Sequence, residues 1–325
     1  MKSLKAAVLC VAVLGLAACG GGSPSSDASG TAAGGAGMER IEVGVIPIVD
    51  VAPIYLGVEE GLFEKEGLDL KLTLAQGGAA IVPAITSGQM DFGFSNVTSM
   101  IVARSKGLPL KMVAAGANTT GNVEDDFAAV MTKQGSGIAE IADLVGKKVG
   151  VNTLNNISDS TISEAVKRAG GDPAGVDFVE MPFPDMVGQL DKGNVDAIAA
   201  VEPFVTIAEE GGNERVFSNY AEPVEDLTVA VYFTSDQYVQ DNPETAEKFV
   251  RAMKASLEFA EANPDRVREI LPTYTTLKPD VIEKLTLPKF PTEVNADSIE
   301  EIAQISLDRG LIEEVPDLKA LLPAE

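Results

Sequence analysis

The chain has 325 residues, of which 45% are hydrophobic and 23% are charged, and its formal net charge is −24 at pH 7. Such an excess of acidic side chains argues against nucleic acid as a partner, because proteins bind phosphates with clustered lysine and arginine. Histidine is absent, and with it the commonest general base and the commonest metal ligand. We therefore expect a protein that uses no nucleic acid, no metal ion and no cofactor.

The N-terminal residues have the pattern of an export signal. Lys2 and Lys5 precede an apolar stretch at residues 6–18, which is shorter than a membrane-spanning helix of about 20 residues. The stretch ends in Leu-Ala-Ala-Cys-Gly at residues 16–20 and resembles a bacterial lipobox. We predict a lipoprotein signal peptide over residues 1–18, with cleavage before Cys19 and lipidation of its sulfur. The alternative is an uncleaved signal anchor in which Cys19 has no role.

A flexible tether is predicted after the signal. Residues 19–38 are dominated by glycine, serine and alanine, a composition typical of flexible linkers. Of the two cysteines, Cys10 would leave with the signal peptide and Cys19 would carry the lipid. The mature fold would then depend on its hydrophobic core without a disulfide. The expected location is outside the cytoplasm, anchored to the membrane.

Strands and helices alternate from residue 39 onward. In the first half, strands are predicted at residues 41–46, 68–74, 91–95 and 110–115, and helices at 53–60, 79–86 and 98–105. The alternation restarts with strands at 127–132, 148–151, 176–181, 196–201 and 229–234, and helices at 138–144, 158–169, 185–191 and 203–210. Helices follow at 243–262, 264–271, 279–285 and 298–309. This rhythm predicts helices that cover largely parallel sheets.

Two α/β units followed by a helical tail predict two lobes joined by a two-strand hinge. The first lobe would comprise residues 39–117 and 228–325, with the C-terminal helices packed on it, and the second lobe residues 118–227. The strands at 127–132 and 229–234 have similar patterns. We expect them to pair where the chain enters and leaves the second lobe.

Short motifs along the chain resemble one family. They are APIYLG at residues 52–57, EGLFEKEGL at 60–68, GG at 77–78, SGQMDFG at 87–93, DL at 143–144, GKKVGV at 146–151, GNVDA at 193–197 and EPF at 202–204. Their order and spacing are similar to those of ABC-transporter solute-binding proteins of the sulfonate, taurine and nitrate type, a family that also includes binders of thiamine-pyrimidine precursors. The resemblance covers residues 39–323. It implies the type II periplasmic-binding-protein fold, a small-molecule ligand held between the lobes, and an ABC permease as partner.

Candidate ligand-binding residues lie where strands end. In open α/β sheets, ligands bind beyond the carboxyl ends of the strands, where helix N-termini offer free N–H groups. The predicted residues are Asp50, Gly77, Gly78, Ser95, Asn96, Asn152, Thr153, Asn155, Ser158, Phe183 and Glu202. Residues 152–158 are the strongest candidates, because a helix cap needs one or two polar residues and this stretch has more.

Several candidates have a structural alternative. Asp50 could only cap the following helix, Gly77 and Gly78 could only form a turn, and Glu202 could be a solvated charge. One of Ser95 and Asn96 is expected to be a helix cap, and Phe183 could belong to the core. These alternatives stay open at the level of the sequence.

The charge of the ligand is also left open. No lysine or arginine falls in these loops, so an anion would be held by amides, hydroxyls and helix N-termini, against the charges of Asp50 and Glu202. A neutral or amino-bearing heterocycle fits this acidic pair better, whereas the family resemblance favours sulfonates.

The expected function is binding rather than catalysis. Relatives of this fold include a desulfinase and a thiamine-pyrimidine synthase, and the resemblance implies that they use cysteine or histidine in the cleft. This chain has no histidine, and its cysteines, Cys10 and Cys19, precede the folded part. We expect a monomer that delivers a small organic molecule to an ABC importer. The alternative is a surface lipoprotein that senses a ligand without transporting it.

The lipid anchor is tested by Cys19→Ser. Because serine cannot accept the thioether-linked lipid, the variant should be released in soluble form or remain as an uncleaved precursor. Membrane fractionation and gel mobility measure both results. A variant that fractionates and migrates like the wild type would rule out the anchor.

Overall fold

The computed structural model describes residues 37–323. The predicted signal peptide, Cys19 and most of the predicted tether lie outside the described residues. Within the described range, no helix combines the length and the apolar character that crossing a membrane requires.

The described chain alternates strands and helices as the sequence predicts. The strands are β1 (Glu39–Val45), β2 (Leu68–Leu74), β3 (Phe92–Asn96), β4 (Leu110–Asn118), β5 (Ala128–Lys133), β6 (Lys148–Val151), β7 (Asp177–Glu180), β8 (Ala197–Val201), β9 (Asn213–Phe217) and β10 (Thr228–Ser235). The α-helices are α1 (Ala52–Glu59), α2 (Leu62–Lys65), α3 (Gly78–Thr86), α4 (Val97–Ser105), α5 (Ile157–Arg168), α6 (Phe183–Asp191), α7 (Phe204–Glu210), α8 (Asp236–Asp241), α9 (Pro243–Ala262), α10 (Pro264–Ile270), α11 (Pro279–Lys284), α12 (Ala296–Asp308) and α13 (Leu318–Leu321). The prediction missed β9 and the short helices α2, α8 and α13, and the helix predicted at 138–144 is a short 3-10 helix, Ile141–Leu144.

Two five-stranded sheets organise the chain, in the orders β2-β1-β3-β10-β4 and β7-β6-β8-β5-β9. In the first sheet β1 runs parallel to β2 and β3, whereas β10 is antiparallel to β3 and β4. In the second sheet β6 runs parallel to β7 and β8, whereas β5 is antiparallel to β8 and β9. We call each sheet with its covering helices a lobe. The predicted α/β class with two lobes is confirmed, and the boundaries at residues 117/118 and 227/228 stay a prediction.

The predicted pairing of the strands at 127–132 and 229–234 is wrong. β5 belongs to the second sheet and β10 to the first, and each is flanked on both sides by strands of its own sheet. Both strands are almost entirely buried, and a continuous apolar run of this kind does not encode which strand will be its neighbour. The chain segments that lead to them do meet, since the Thr119 N–H donates to the Leu227 carbonyl at 3.0 Å.

The longest C-terminal helix, α9, packs on the first lobe, against α1 and α2. The other tail helices also reach the second lobe, since α12 lies against both α4 and α5, and α11 contacts α7. The rings of Phe92 on β3 and Phe249 on α9 are stacked, with centroids 3.8 Å apart and planes 4° from parallel. Both side chains are fully buried, and aromatic contacts of this kind contribute strongly to a core. The first lobe is therefore complete only when the end of the chain has returned to it.

The ends of several strands meet between the lobes. Asp50 follows β1, Asn96 ends β3 and Asn152 follows β6. Helices α4 and α5 begin at the same place, one from each lobe. The side-chain amide of Asn156, which precedes α5, donates to Ser99 Oγ in α4 at 2.8 Å. The lobes are thus in direct contact around the space that these strand ends surround.

The packing of the tail on the first lobe predicts the effect of a methyl group at Gly57. A Cβ at Gly57 in α1 would collide with Ser256 Oγ in α9 and lie 2.7 Å from Phe63 Cε2. Overpacking of this kind typically destabilises a protein by about 1–3 kcal/mol. Gly57→Ala should therefore lower the melting temperature by several degrees in a thermal denaturation experiment.

Gly188→Ala is the matched control. Gly188 is an exposed residue of α6, and a Cβ there has no atom within 4 Å. The higher helix propensity of alanine should leave this variant as stable as the wild type or more stable. Equal melting temperatures for Gly57→Ala and the wild type would contradict the packing of α1 on α9.

Candidate functional site

A cavity lies between the two lobes and has about 430 Å³ of unfilled space, part of it open to solvent. We call it the Asp50 cavity. The first lobe lines it with Ile46, Ile48, Asp50, Phe94, Asn96, Val229 and Ala230, and the second with Asn152, Thr153, Asn156, Ile157, Ser158, Phe183, Val201 and Tyr220. Its wall combines flat apolar side chains with amides and hydroxyls, which is typical of sites for small organic molecules.

The structure brings together some of the predicted residues and not others. The predicted residues that line the cavity are Asp50, Asn96, Asn152, Thr153, Ser158 and Phe183. Those outside its lining are Gly77, Gly78, Ser95, Asn155 and Glu202. Among the polar lining residues, the sequence analysis included Asn156 only as part of the stretch 152–158 and missed Tyr220.

Gly77 and Gly78 allow backbone and side chains to approach closely. A Cβ at Gly77 would lie 3.2 Å from Thr153 Oγ1 of the second lobe, so this glycine sits against the opposite side of the cleft. A Cβ at Gly78 would collide with Ser95 Oγ, which is itself fully buried on β3. Packing accounts for Gly77 and Gly78 in the structure, whereas the buried Ser95 Oγ has no hydrogen-bond partner among the described residues.

Asn155 and Asn156 differ in position although they are neighbours. Asn155 is exposed and has a positive φ of 54°, a conformation that asparagine tolerates better than most residues. Asn156 is buried and caps α5, because its Oδ1 accepts from the Ile157 N–H at 2.7 Å. Of these two neighbours, Asn156 lines the cavity and Asn155 does not.

Most polar groups of the wall have partners within the protein. Asn96 Oδ1 accepts from the Ser99 N–H at 2.9 Å and caps α4, as expected for one of the pair Ser95 and Asn96. Asn152 Nδ2 donates to the Gln76 carbonyl across the cleft at 3.1 Å. Ser158 Oγ lies 3.0 Å from the Tyr220 hydroxyl. These bonds hold the wall in place.

Tyr220 was missed because the strand before it was missed. It follows β9, whose alternation is short and irregular. The only sequence signal is the Gly211-Gly212 turn followed by two apolar residues, Val216 and Phe217.

Asp50 differs from the other polar residues of the wall. Its side chain is 2% exposed, and Oδ1 has no hydrogen-bond partner among the described residues. The alternative that Asp50 caps α1 is wrong, since the N-cap of α1 is Val51 and no side chain caps it. The pKa of Asp50 is raised to about 7, and burial is the main cause. A hydrogen bond from its own backbone lowers the pKa, and the charge of Asp126 raises it, each by less than burial does.

The groups near Asp50 are neutral hydroxyls rather than cations. Burial, and to a smaller extent the charge of Asp50, raises the pKa of Tyr220, Tyr232 and Tyr274. These phenols therefore stay protonated. Over residues 37–323, neither a lysine nor an arginine lines this cavity. The arrangement offers an acceptor to a hydrogen-bond donor and offers no counter-charge to an anion.

Glu202 is buried outside the cavity lining. Its carboxylate accepts from Thr206 Oγ1 at 2.7 Å, from the Thr206 N–H at 3.1 Å and from the Thr286 N–H at 3.1 Å. Burial raises its pKa to about 7. Glu202 is 1% exposed, so the alternative of a solvated charge is wrong. Its hydrogen bonds to Thr206 and Thr286 join the start of α7 to the C-terminal segment, which is a structural role.

The fold is that of solute-binding proteins. The periplasmic aliphatic sulphonate binding protein SsuA from Escherichia coli superposes with a TM-score of 0.70 at 18% identity, over 86% of this chain and 96% of SsuA. The chain belongs to the NMT1/THI5-like family, whose sequence model matches residues 48–267.

Two curated relatives place the chain within that family. The formylaminopyrimidine-binding protein of Halalkalibacterium halodurans is 26% identical over 84% of this chain and 79% of its own length. The 4-amino-5-hydroxymethyl-2-methylpyrimidine phosphate synthase THI5 of Saccharomyces cerevisiae is 23% identical over 73% of this chain and 70% of its own length. The family thus contains both a binding protein and proteins named as synthases.

The raised pKa of Asp50 predicts how stability depends on pH. An aspartate in the unfolded chain ionises near pH 4, whereas Asp50 in the folded protein keeps its proton up to about pH 7. The folded state therefore loses stability as the pH rises from about 4 to about 7, by about 4 kcal/mol at most. Asp50→Asn removes this loss, so the variant should gain stability relative to the wild type across this window.

Denaturant unfolding at several pH values measures this difference. Asp69→Asn is the control, because Asp69 is an exposed aspartate on β2. Its stability should follow that of the wild type at every pH. If the Asp50→Asn curve also runs parallel to the wild type, Asp50 ionises normally in the folded protein.

Proposed function

We propose that the protein is an extracytoplasmic solute-binding lipoprotein that captures a small amino-bearing heterocycle and delivers it to an ABC importer. In this proposal Cys19 carries the lipid anchor and the protein acts as a monomer. The fold and the family support a binding role. The observation that carries the choice of ligand is the unpaired, buried carboxylate oxygen of Asp50 in the cavity.

A ligand N–H group would satisfy that oxygen. Burying a carboxylate without a partner is unfavourable, and a hydrogen bond to a charged group contributes about 1.5–3 kcal/mol. An amino group on an aromatic ring supplies such a donor. The ring itself would lie among Ile46, Ile48 and Phe183, which are apolar. The name of the Halalkalibacterium relative, a formylaminopyrimidine-binding protein, agrees with this class of ligand.

A sulfonate or nitrate ligand is less well supported. Its negative charge would face Asp50, which is itself charged above about pH 7, and the described part of the cavity wall contains no cationic side chain. Like charges at short distance in a buried site are strongly unfavourable. The likeness to SsuA at 18% identity concerns the fold, so it does not outweigh the charge of the cavity.

We also propose that the protein is not an enzyme. The chain has no histidine, and both cysteines precede residue 37, so the cavity contains neither a thiol nor an imidazole. Its titratable side chains are Asp50 and Tyr220. The synthase name of the yeast relative is the reason to test catalysis directly, by looking for turnover of any ligand that binds.

Isothermal titration of the purified full-length protein tests the ligand class. The probe is 4-amino-5-hydroxymethyl-2-methylpyrimidine, the unphosphorylated form of the compound in the name of the yeast relative, and ethanesulfonate, a sulfonate without an amino group, is the anionic comparison. At about pH 8, above the pKa of about 7 that Asp50 has in the folded protein, we expect the pyrimidine to bind and Asp50→Asn to weaken binding about ten- to a hundredfold, because the charged hydrogen bond is lost. Asp69→Asn should leave the affinity unchanged.

The opposite pattern would refute the proposal. If ethanesulfonate binds more tightly than the pyrimidine and Asp50→Asn strengthens its binding further, the cavity is an anion site. Product analysis of the same mixtures by mass spectrometry checks for catalysis. Recovery of unaltered pyrimidine is expected.

A further inference from the structure

A second cavity adjoins the Asp50 cavity and has about 580 Å³ of unfilled space. Leu74 and Pro184, which line it, are exposed, so it reaches the surface. We call it the outer cavity. Ile46, Ile48 and Phe183 line both cavities, so the two spaces lie on either side of the same three side chains.

The outer cavity differs chemically from the Asp50 cavity. Gln76 is its only described lining residue with a polar side chain, and the others are aliphatic, aromatic or proline. Both lobes contribute, the first with Leu74 at the end of β2 and the second with Pro182 and Pro184. The space is therefore suited to an apolar group and forms only where the lobes face each other.

Phe183 is held in a defined position between the two cavities. Its side chain is 6% exposed, and its ring lies 6.1 Å from that of Phe204 with the planes 8° from parallel. A ring fixed in this way is a rigid wall.

Leu74 is the feature of the outer cavity that most needs an explanation. Its side chain is 53% exposed, and it is one of few large apolar residues that the described chain exposes. Isolated exposed leucines are common. Leu74, however, lines an apolar space that shares three lining residues with the Asp50 cavity.

We propose that the ligand has two parts, an amino-bearing head in the Asp50 cavity and an apolar substituent of a few carbon atoms that passes Phe183 into the outer cavity. The inference rests on the proposed function, because it requires the head to bind at Asp50. Removing apolar atoms from water is favourable in proportion to the area buried. Each methylene that enters the outer cavity should therefore increase the affinity.

A series of acylated pyrimidines tests this proposal. The aminomethyl analogue of the hydroxymethyl pyrimidine probe is acylated with formyl, acetyl, butanoyl or hexanoyl groups, and each compound is titrated into the full-length protein. The affinity should rise about fourfold for each added methylene until the outer cavity is filled. The formyl compound measures the head alone.

Leu74→Asn should abolish this increase and leave the affinity for the formyl compound unchanged. The matched control is Val123→Asn, because Val123 is also an exposed aliphatic residue, at 48%, and lines neither cavity. The control should keep the full increase with chain length. Since both residues are exposed, both variants are expected to fold, and thermal denaturation verifies this.

The outcomes separate this inference from the proposed function. If the formyl compound binds and longer chains bind equally or more weakly, the outer cavity does not hold a substituent while the proposed function stands. If affinity rises with chain length in Leu74→Asn as in the wild type, the substituent lies elsewhere and the inference is wrong. If no compound of the series binds, both proposals fail.

Discussion

The rest of the site depends on the burial of one carboxylate whose oxygen is unpaired. Removing a carboxylate from water costs several kcal/mol unless a partner replaces the lost hydration, and Asp50 has a free Oδ1 within the described structure. The loop that carries it is held firmly, because Tyr274 from the C-terminal part donates its hydroxyl to the Ile48 carbonyl at 3.2 Å. Tyr274 is in turn stacked on Tyr55 of α1, with centroids 3.9 Å apart. The end of the chain thus positions the acidic group near its beginning.

The opposite wall is built in a different way. The first turn of α5 brings Asn156 and Ser158 to the cavity, and their polar atoms are already bonded to Ser99 and Tyr220. Arg309, which follows α12, adds a contact with Asp159 Oδ1 at 3.2 Å. The polar groups of the second lobe are thus hydrogen-bonded to other protein groups, and they define the shape of the cavity. Asp50 of the first lobe has a buried oxygen that is free to accept a hydrogen bond from a ligand.

Much of the architecture could be predicted, because its signals are local. Proline at the first turn of α9, α10 and α11 marked the start of these helices, and the apolar runs marked the strands. Residues at or after strand ends could be named as ligand-binding candidates for the same reason, and six of the eleven named residues line the cavity. The pairing of β5 with β10 failed, because two buried strands have the same apolar pattern whichever sheet they join.

The sequence by itself determined the two α/β units, the acidic surface, the absence of histidine and the loops from which a site could be built. Only the tertiary structure decided that Asn156 rather than Asn155 faces the cavity, that Tyr220 joins it, and that Glu202 is occupied elsewhere. It also decided that Asp50 is buried and unpaired. Burial and pairing depend on which distant segments pack against a side chain, and a local pattern of residues contains no information about those partners.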